Sequence, residues 1–369
     1  MRDSMAVLFT PFRLGGLGLA NRITVAPMCQ YSAADGSMTD WHLMHLGSLA
    51  LSGASMLVIE ATAVTPEGRI TPYDTGLYCD ANEQAMARVT RYVRSISPIR
   101  LGIQLGHAGR KASAQRPWEG RGALAKEEGA WITEAPSALA LAEGWPLPRA
   151  LARPDLERIK QAFAASAQRA MRVRLDFIEL HFTHGYLMSE FLSPLANRRS
   201  DEYGGSRENR MRYPLEVFEA VRGAVPAGTT IGAKISGTDF APGGWTPEDA
   251  VAFARELKDR GCAYVTVSGG GVVLDAKVPV APGYQVPYAE QVRRETGITT
   301  GAVGLITEPA QAEDIVASGK ADFVSLARGM LFNPRWGWHA ALALGAEAWY
   351  PPQYERCAPR AWPGAKQIS

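Results

Sequence analysis

The chain has 369 residues, 46% of them hydrophobic, and its 39 basic and 37 acidic side chains leave a net charge of +2. That is enough apolar material for a large core, and too balanced a charge to hold nucleic acid or an anionic membrane by a general field. No apolar run is long enough to span a bilayer, and the segment from Met1 to Phe9 meets Pro11 before it could form a signal core, so a cytoplasmic protein acting on small molecules is expected.

Eight short apolar runs, rich in β-branched residues, recur along the chain, each followed by Gly, Ser, Thr or His and then by a segment of helical period. They fall at 23–28, 56–61, 101–107, 177–181, 230–236, 263–268, 300–305 and 323–328. Parallel neighbours need a crossover, and a helix supplies it best. Eight repeats of strand and helix therefore predict a closed (β/α)8 TIM barrel, taken as one domain over residues 1–369.

Among the helices, Pro154 to Met171 is the clearest, with Leu156, Ile159, Phe163, Ala164 and Ala167 at helical spacing. Thr246 is a candidate cap for the helix opening Pro247-Glu248-Asp249, another follows Thr307-Glu308-Pro309, and the last begins at Pro334. Two excursions break the rhythm. Residues 108–153, containing Trp118, Trp131 and Trp145, are too long for a simple crossover and are expected to form a lid over the barrel mouth rather than a disordered insert. Residues 351–369 form a tail with too few apolar residues to fold alone, which suits docking on a partner subunit. The scattered Cys29, Cys79, Cys262 and Cys357 form no C-x-x-C, which argues against a disulfide framework, a zinc knot or an iron–sulfur cluster.

The carboxyl ends of barrel strands open onto the active-site face, so the end of the fourth run draws attention: His181-Phe182-Thr183-His184-Gly185-Tyr186. Two imidazoles and a phenol there read as an oxyanion-binding pair plus a proton donor. Along a continuing strand His181 and His184 would point to opposite faces, so both reach the mouth only if the strand stops near His181. Metal ligation is a rival reading, with Glu179 nearby, but the other strand ends offer too few carboxylates and histidines. Cys29, Gln104, Lys234, Gly304 and the turn Ala327-Arg328-Gly329 converge on the same rim. Loops after the last two strands of a barrel often take a phosphate, and Arg328 would serve it; a surface ion pair for Arg328 fits the spacing equally well. No G-x-G-x-x-G follows a strand, so a Rossmann-type NAD domain is not expected.

Five motifs follow in order along the chain: Ala26-Pro27-Met28-Cys29-Gln30-Tyr31-Ser32, the run from Gly102 to Lys111, His181 to Leu187, Asp201-Glu202-Tyr203-Gly204-Gly205-Ser206 and Pro282-Gly283-Tyr284-Gln285-Val286. Together they resemble the Old Yellow Enzyme family of FMN-dependent ene reductases. Cys29 and the terminal Gln353-Tyr354-Glu355-Arg356 are similar to the bacterial, thermophilic-like branch. The resemblance covers about Leu8 to Arg356. It implies an FMN-holding barrel reduced by NADPH and re-oxidised by an activated alkene, an α,β-unsaturated carbonyl or a nitro compound. In that reading His181 and His184 bond the substrate oxygen, Tyr186 protonates the α-carbon, Tyr31 adds a substrate contact, and Cys29 lies against the flavin. Ala26, Pro27, Met28 and Ala61 would line the ring, Gln104 would bond its pyrimidine edge, and Gly304, Ala327, Arg328 and Gly329 would hold the phosphate. Arg356 would enter a neighbouring subunit's site, which implies a homodimer or homotetramer.

Two positions depart from the family pattern. Lys234 stands where an arginine is usual, replacing a planar fork by a point charge. Phe182 and Thr183 are bulkier than the small residues expected between the histidines. Two other functions share the fold: a Schiff-base lyase or aldolase with Lys234 as nucleophile, and a flavin-carrying barrel without turnover.

Overall fold

The computed structural model describes residues 6–367; Met1 to Met5, part of the stretch assessed for a signal core, and the last two residues lie outside it. Eight strands, β1 (Ile23–Val25), β2 (Met56–Ala63), β3 (Arg100–Gly106), β4 (Phe177–Phe182), β5 (Thr230–Ser236), β6 (Tyr264–Ser268), β7 (Thr300–Ala302) and β8 (Phe323–Leu326), close into a barrel in sequence order. All neighbours are parallel, including β8 against β1. All eight expected strands form, though β1, β7 and β8 stop short of the expected ends; the chain turns out of β7 at Gly304, whose φ is +110°.

Helices α1 (Asp40–Ala50), α2 (Asp80–Ile96), α3 (Arg153–Arg172), α4 (Leu187–Leu192), α5 (Arg207–Ala224), α6 (Pro247–Asp259), α7 (Val286–Thr296) and α8 (Pro309–Ala317) follow between strands. After β8 come α9 (Arg328–Phe332), which the sequence does not announce, and α10 (Trp336–Ala343). Thr246 caps α6 as expected, its hydroxyl accepting the Asp249 N–H. The helices bury their apolar stripes on the barrel's outer face; on α3 these include Leu156, Ile159, Phe163 and Ala167.

The barrel interior is filled by pairing large with small across neighbouring strands. Phe177 lies beside Gly102, Tyr264 beside Gly232, and Phe323 beside Gly301. A Cβ on any of these glycines would come within 2.3 Å of the facing ring, so the layer closes only with glycine there. An antiparallel hairpin, Phe12–Leu14 with Leu17–Leu19, caps this end, and Leu14 and Leu19 join the same buried cluster. No periodic signal in residues 12–19 predicts that plug.

One layer up the filling turns polar. Gln104 Nε2 donates to Glu179 at 2.8 Å, and the Thr266 hydroxyl donates to it at 3.1 Å. Opposite Gln104, β2 carries a bulge: Ile59 pairs with Ile103 and Ala61 with Gln104, leaving Glu60 as the extra residue. The insertion shifts the inward phase of β2 from Val58 to Ala61. Glu60 turns outward, where His42 Nε2 lies 2.8 Å away and Thr75 donates to it.

The excursion at 108–153 carries a short parallel pair, Glu134–Ala135 and Arg149–Ala150. Trp131 ties it down by donating to the Glu67 carbonyl. The tail packs on α10, with Tyr350 and Tyr354 against Trp338. Trp338 sits by Gly53, in the turn that leads into β2, so the tail rests toward the barrel end opposite the mouth.

Candidate active site

β4 delivers His181 as the last inward residue of the strand, in register with Lys234 on β5. The chain then turns sharply: His184 has φ +63° and Gly185 φ +71°. Left-handed backbone in two consecutive residues swings the His184 imidazole back toward His181. The two rings meet edge to face with centroids 5.2 Å apart, and Tyr186 lies 4.9 Å from His181 in the same relation. The three side chains expected at the rim are brought together. They gather even though the strand runs one residue beyond His181, because the turn re-aims His184.

Burial holds both imidazoles well below 6.5, with Lys234 and Lys111 pushing the same way and His184 adding to the effect on His181. Both are therefore neutral at physiological pH. His184 Nε2 lies 2.8 Å from the Ser268 hydroxyl. His181 Nδ1 is buried with no partner among the described residues. The Tyr186 phenol is pushed well above 10 by burial, and by Cys29, Tyr31 and Asp74. It is fully protonated near neutrality.

Two spaces open from this trio. The smaller, bounded by His181, Tyr186, Ala61, His107 and Asp74, has room for about one water at 10 Å³. The larger, of about 300 Å³, takes Ala26, Pro27, His184, Lys234, Gly304, Ala327, Arg328 and Gly329 into its wall. Eight of the sequence-predicted residues thus share one cavity. Met28 packs instead against the core, and Gln104 is buried in the layer beneath. Tyr31, half-buried with φ +50°, meets Trp118 of the excursion edge to face; its phenol is pushed up by burial and by neighbouring Cys29. Cys29 is half-buried, and burial raises its thiol well above 9.0. Arg356 is exposed on the tail and lines neither space.

The larger cavity suits a flat heteroaromatic ring with a phosphate arm. Gln285 Oε1 is buried in its wall without a partner among the described residues. Lys234, 6% exposed, brings its amino group to the same wall, its pKa lowered by burial and held up by Glu179 and Cys29. At Gly304 a Cβ would press within 3.1 Å of Gln285, so the bare backbone borders the space, and the exposed Arg328 guanidinium stands at the same end.

Sequence reasoning missed Ser268, Gln285 and Lys111 as site residues. Ser268 ends β6 on the same rim that singled out His181, and Gln285 and Lys111 lie inside quoted motifs.

Comparison with known proteins agrees with this fold. Residues 7–345 match the NADH:flavin oxidoreductase / NADH oxidase family. The chain is 43% identical over 352 residues to an NADPH dehydrogenase of Geobacillus thermodenitrificans, covering 95% of this chain and 98% of that one. It is 41% identical over 351 residues to an NADPH dehydrogenase of Bacillus licheniformis, with the same coverage. Among solved structures, morphinone reductase superposes with a TM-score of 0.77 at 27% identity, covering 94% of this chain and 92% of that one. Morphinone reductase in complex with tetrahydroNAD gives 0.75 at 28% identity, with 94% and 93% covered. With the family match spanning residues 7–345, a near-full-length relative at 43% identity and a shared barrel, the chain belongs to the NADH:flavin oxidoreductase / NADH oxidase family, the Old Yellow Enzyme group, and is an FMN-dependent NAD(P)H oxidoreductase.

Proposed function

We propose that this protein is a cytosolic, NADPH-dependent ene reductase acting on activated alkenes, α,β-unsaturated carbonyls and nitro compounds. The observation that carries the reading is the trio itself: two neutral imidazoles edge to face at 5.2 Å and a phenol 4.9 Å from one of them, at the rim of a cofactor-sized cavity. The NADPH dehydrogenases among its relatives support the reductant.

FMN, when bound, would supply the two-electron redox chemistry between NADPH and the activated alkene. Ala26, Pro27, Cys29 and Ala61 would border its ring, Lys234 would offer a countercharge to its reduced form, and Gly304, Ala327, Arg328 and Gly329 would hold its phosphate. Gln104 would back this wall from the layer beneath, and Met28 from the core it packs against. His181 and His184 receive the substrate oxygen. Two neutral N–H donors there stabilise the enolate-like charge that develops as the β-carbon is reduced, each worth about 3 kcal/mol in a preorganised site. Tyr186 then passes its phenolic proton to the α-carbon and recovers one from solvent. Tyr31 steadies the substrate oxygen, and Arg356 enters the site from a neighbouring copy in a homodimer or homotetramer. Its exposed place on a tail seated away from its own mouth supports that assignment. Lys234, also weighed as a Schiff-base nucleophile, belongs on this reading to the cofactor.

An absorption spectrum tests the proposal. Purified protein should show a flavin band that bleaches with anaerobic NADPH and returns on adding cyclohexenone. A colourless protein indifferent to added FMN, or a bleached band that no activated alkene restores, would overturn it.

A further inference from the structure

Lys111 closes the short turn Gly109–Lys111 that follows β3, and its side chain reaches across the mouth. The ammonium donates to the His184 carbonyl at 2.7 Å and to the Gly271 carbonyl at 3.1 Å. Its nitrogen also lies 5.0 Å from the centre of the Tyr186 ring. One side chain thus joins the loop after β4 to the loop after β6 while touching the face of the phenol.

The joint falls where the backbone needs holding. His184, Gly185 and Gly271 all have positive φ, at +63°, +71° and +89°. The loops press so closely that a Cβ on Gly185 would lie 1.9 Å from the Gly271 oxygen. A histidine in the left-handed region persists only when its surroundings insist on it. The turn bearing Lys111 is itself anchored: Arg110 Nη2 donates to the Val272 carbonyl at 2.7 Å, and the Arg110 N–H donates to Glu190 at 2.8 Å.

The charges around the ammonium are few and named. Burial brings Lys111 down to about 8, with Glu190 on α4 opposing and Arg110 adding to the fall. Glu190 is pushed up to about 8 by burial, against the pull of Arg110 and Lys111. His181 and His184 feel the Lys111 charge and are lowered by it.

We propose that Lys111 is a positioning residue for alkene reduction: it clamps His184 in the turn that sets its imidazole beside His181, and it lays a positive charge on the Tyr186 ring that favours release of the phenolic proton. A cation over an aromatic face is attracted to the ring's electron density, and it is held more strongly once that density grows on ionisation. This rests on the ene-reductase reading. Loss of the Lys111 proton near pH 8 removes the charge from Tyr186 while leaving an amine able to bond the carbonyls.

The test separates the two half-reactions of the FMN-loaded enzyme by anaerobic stopped flow across pH 6–10, for wild type, Lys111→Met and Lys111→Arg. Re-oxidation by cyclohexenone, which consumes the Tyr186 proton, should fall about tenfold or more in Lys111→Met at pH 7, and by more than flavin reduction falls. Wild type should lose rate above about pH 8, that decline should vanish in Lys111→Met, and Lys111→Arg should recover part of the rate. Thermal unfolding of each variant separates a collapsed fold from a mistuned site. Equal slowing of both half-reactions with the alkaline limb unchanged, or a Lys111→Met enzyme equal to wild type, would overturn the proposal. If wild type itself fails to reduce cyclohexenone, the ene-reductase reading fails instead.

Discussion

His181 and His184 stand three residues apart, yet their rings meet edge to face at 5.2 Å. Strand geometry alone would send them to opposite faces. The left-handed pair His184 and Gly185 reconciles the two, and the price is backbone strain held in place by the loop after β6.

Gly185→Ala should expose that dependence. The new Cβ would meet the Gly271 carbonyl oxygen at 1.9 Å, at a φ of +71° that alanine resists. A cost on the order of 2–4 kcal/mol is expected from strain and overpacking together, read as a lowered thermal midpoint. An unchanged midpoint with unchanged activity would mean the loops separate freely.

Tyr186→Phe should split the catalytic cycle. Removing a general acid typically costs ~100-fold or more in the step that needs the proton, so re-oxidation by an alkene should slow by that order while flavin reduction by NADPH stays close to wild type. The ring remains to pack beside His181, which limits structural disturbance. Equal slowing of both half-reactions would remove Tyr186 from its role.

The buried imidazoles also set a pH dependence of stability. Both are held well below 6.5 in the folded chain. As pH falls below 6.5 the unfolded chain binds protons that the folded one refuses, so stability is fully present above 6.5 and is lost on acidification from there toward the depressed values. Asp74 acts oppositely: burial raises it from 3.8 to about 7, so its folded form keeps a proton over that span and stability declines as pH rises through it. Urea titrations between pH 5 and 7 should show a flatter acid loss in His181→Asn/His184→Asn than in wild type. An identical slope would mean the imidazoles are protonated in the fold.

Much of this was legible in the sequence. Strands buried on both faces read as plain apolar runs, which is why all eight were found, and His181, His184 and Tyr186 announced themselves by clustering at a strand's end. What stayed hidden depends on contacts between distant segments. The hairpin at 12–19 has only three-residue strands, and its role as a plug appears only against Phe177, Tyr264 and Phe323. Lys111 reaches carbonyls 73 and 160 residues further along. No local pattern encodes that reach. Arg356 is a case of another kind, since the role given to it needs a second chain.

Lys234 offers the sharpest test of how this chain treats its cofactor. It is buried at the cavity floor; burial lowers its pKa, while Glu179 and Cys29 hold it up. Glu179 is itself raised by burial and drawn down by Lys234, with hydrogen bonds from Gln104 and Thr266. Lys234→Met removes the only one of these charges that can favour an anionic reduced flavin, so both FMN affinity and midpoint potential should fall. In a two-electron couple each ~30 mV corresponds to about 1.4 kcal/mol of selective stabilisation, so a drop of tens of millivolts is the scale to look for. The same variant strands Glu179, and a buried carboxylate without its counter-charge is costly. Lys234→Met/Glu179→Gln should therefore regain thermal stability over the single variant while keeping the lowered potential. Recovery of the potential along with the stability would show that Lys234 acts through the packing of the polar layer rather than through its charge.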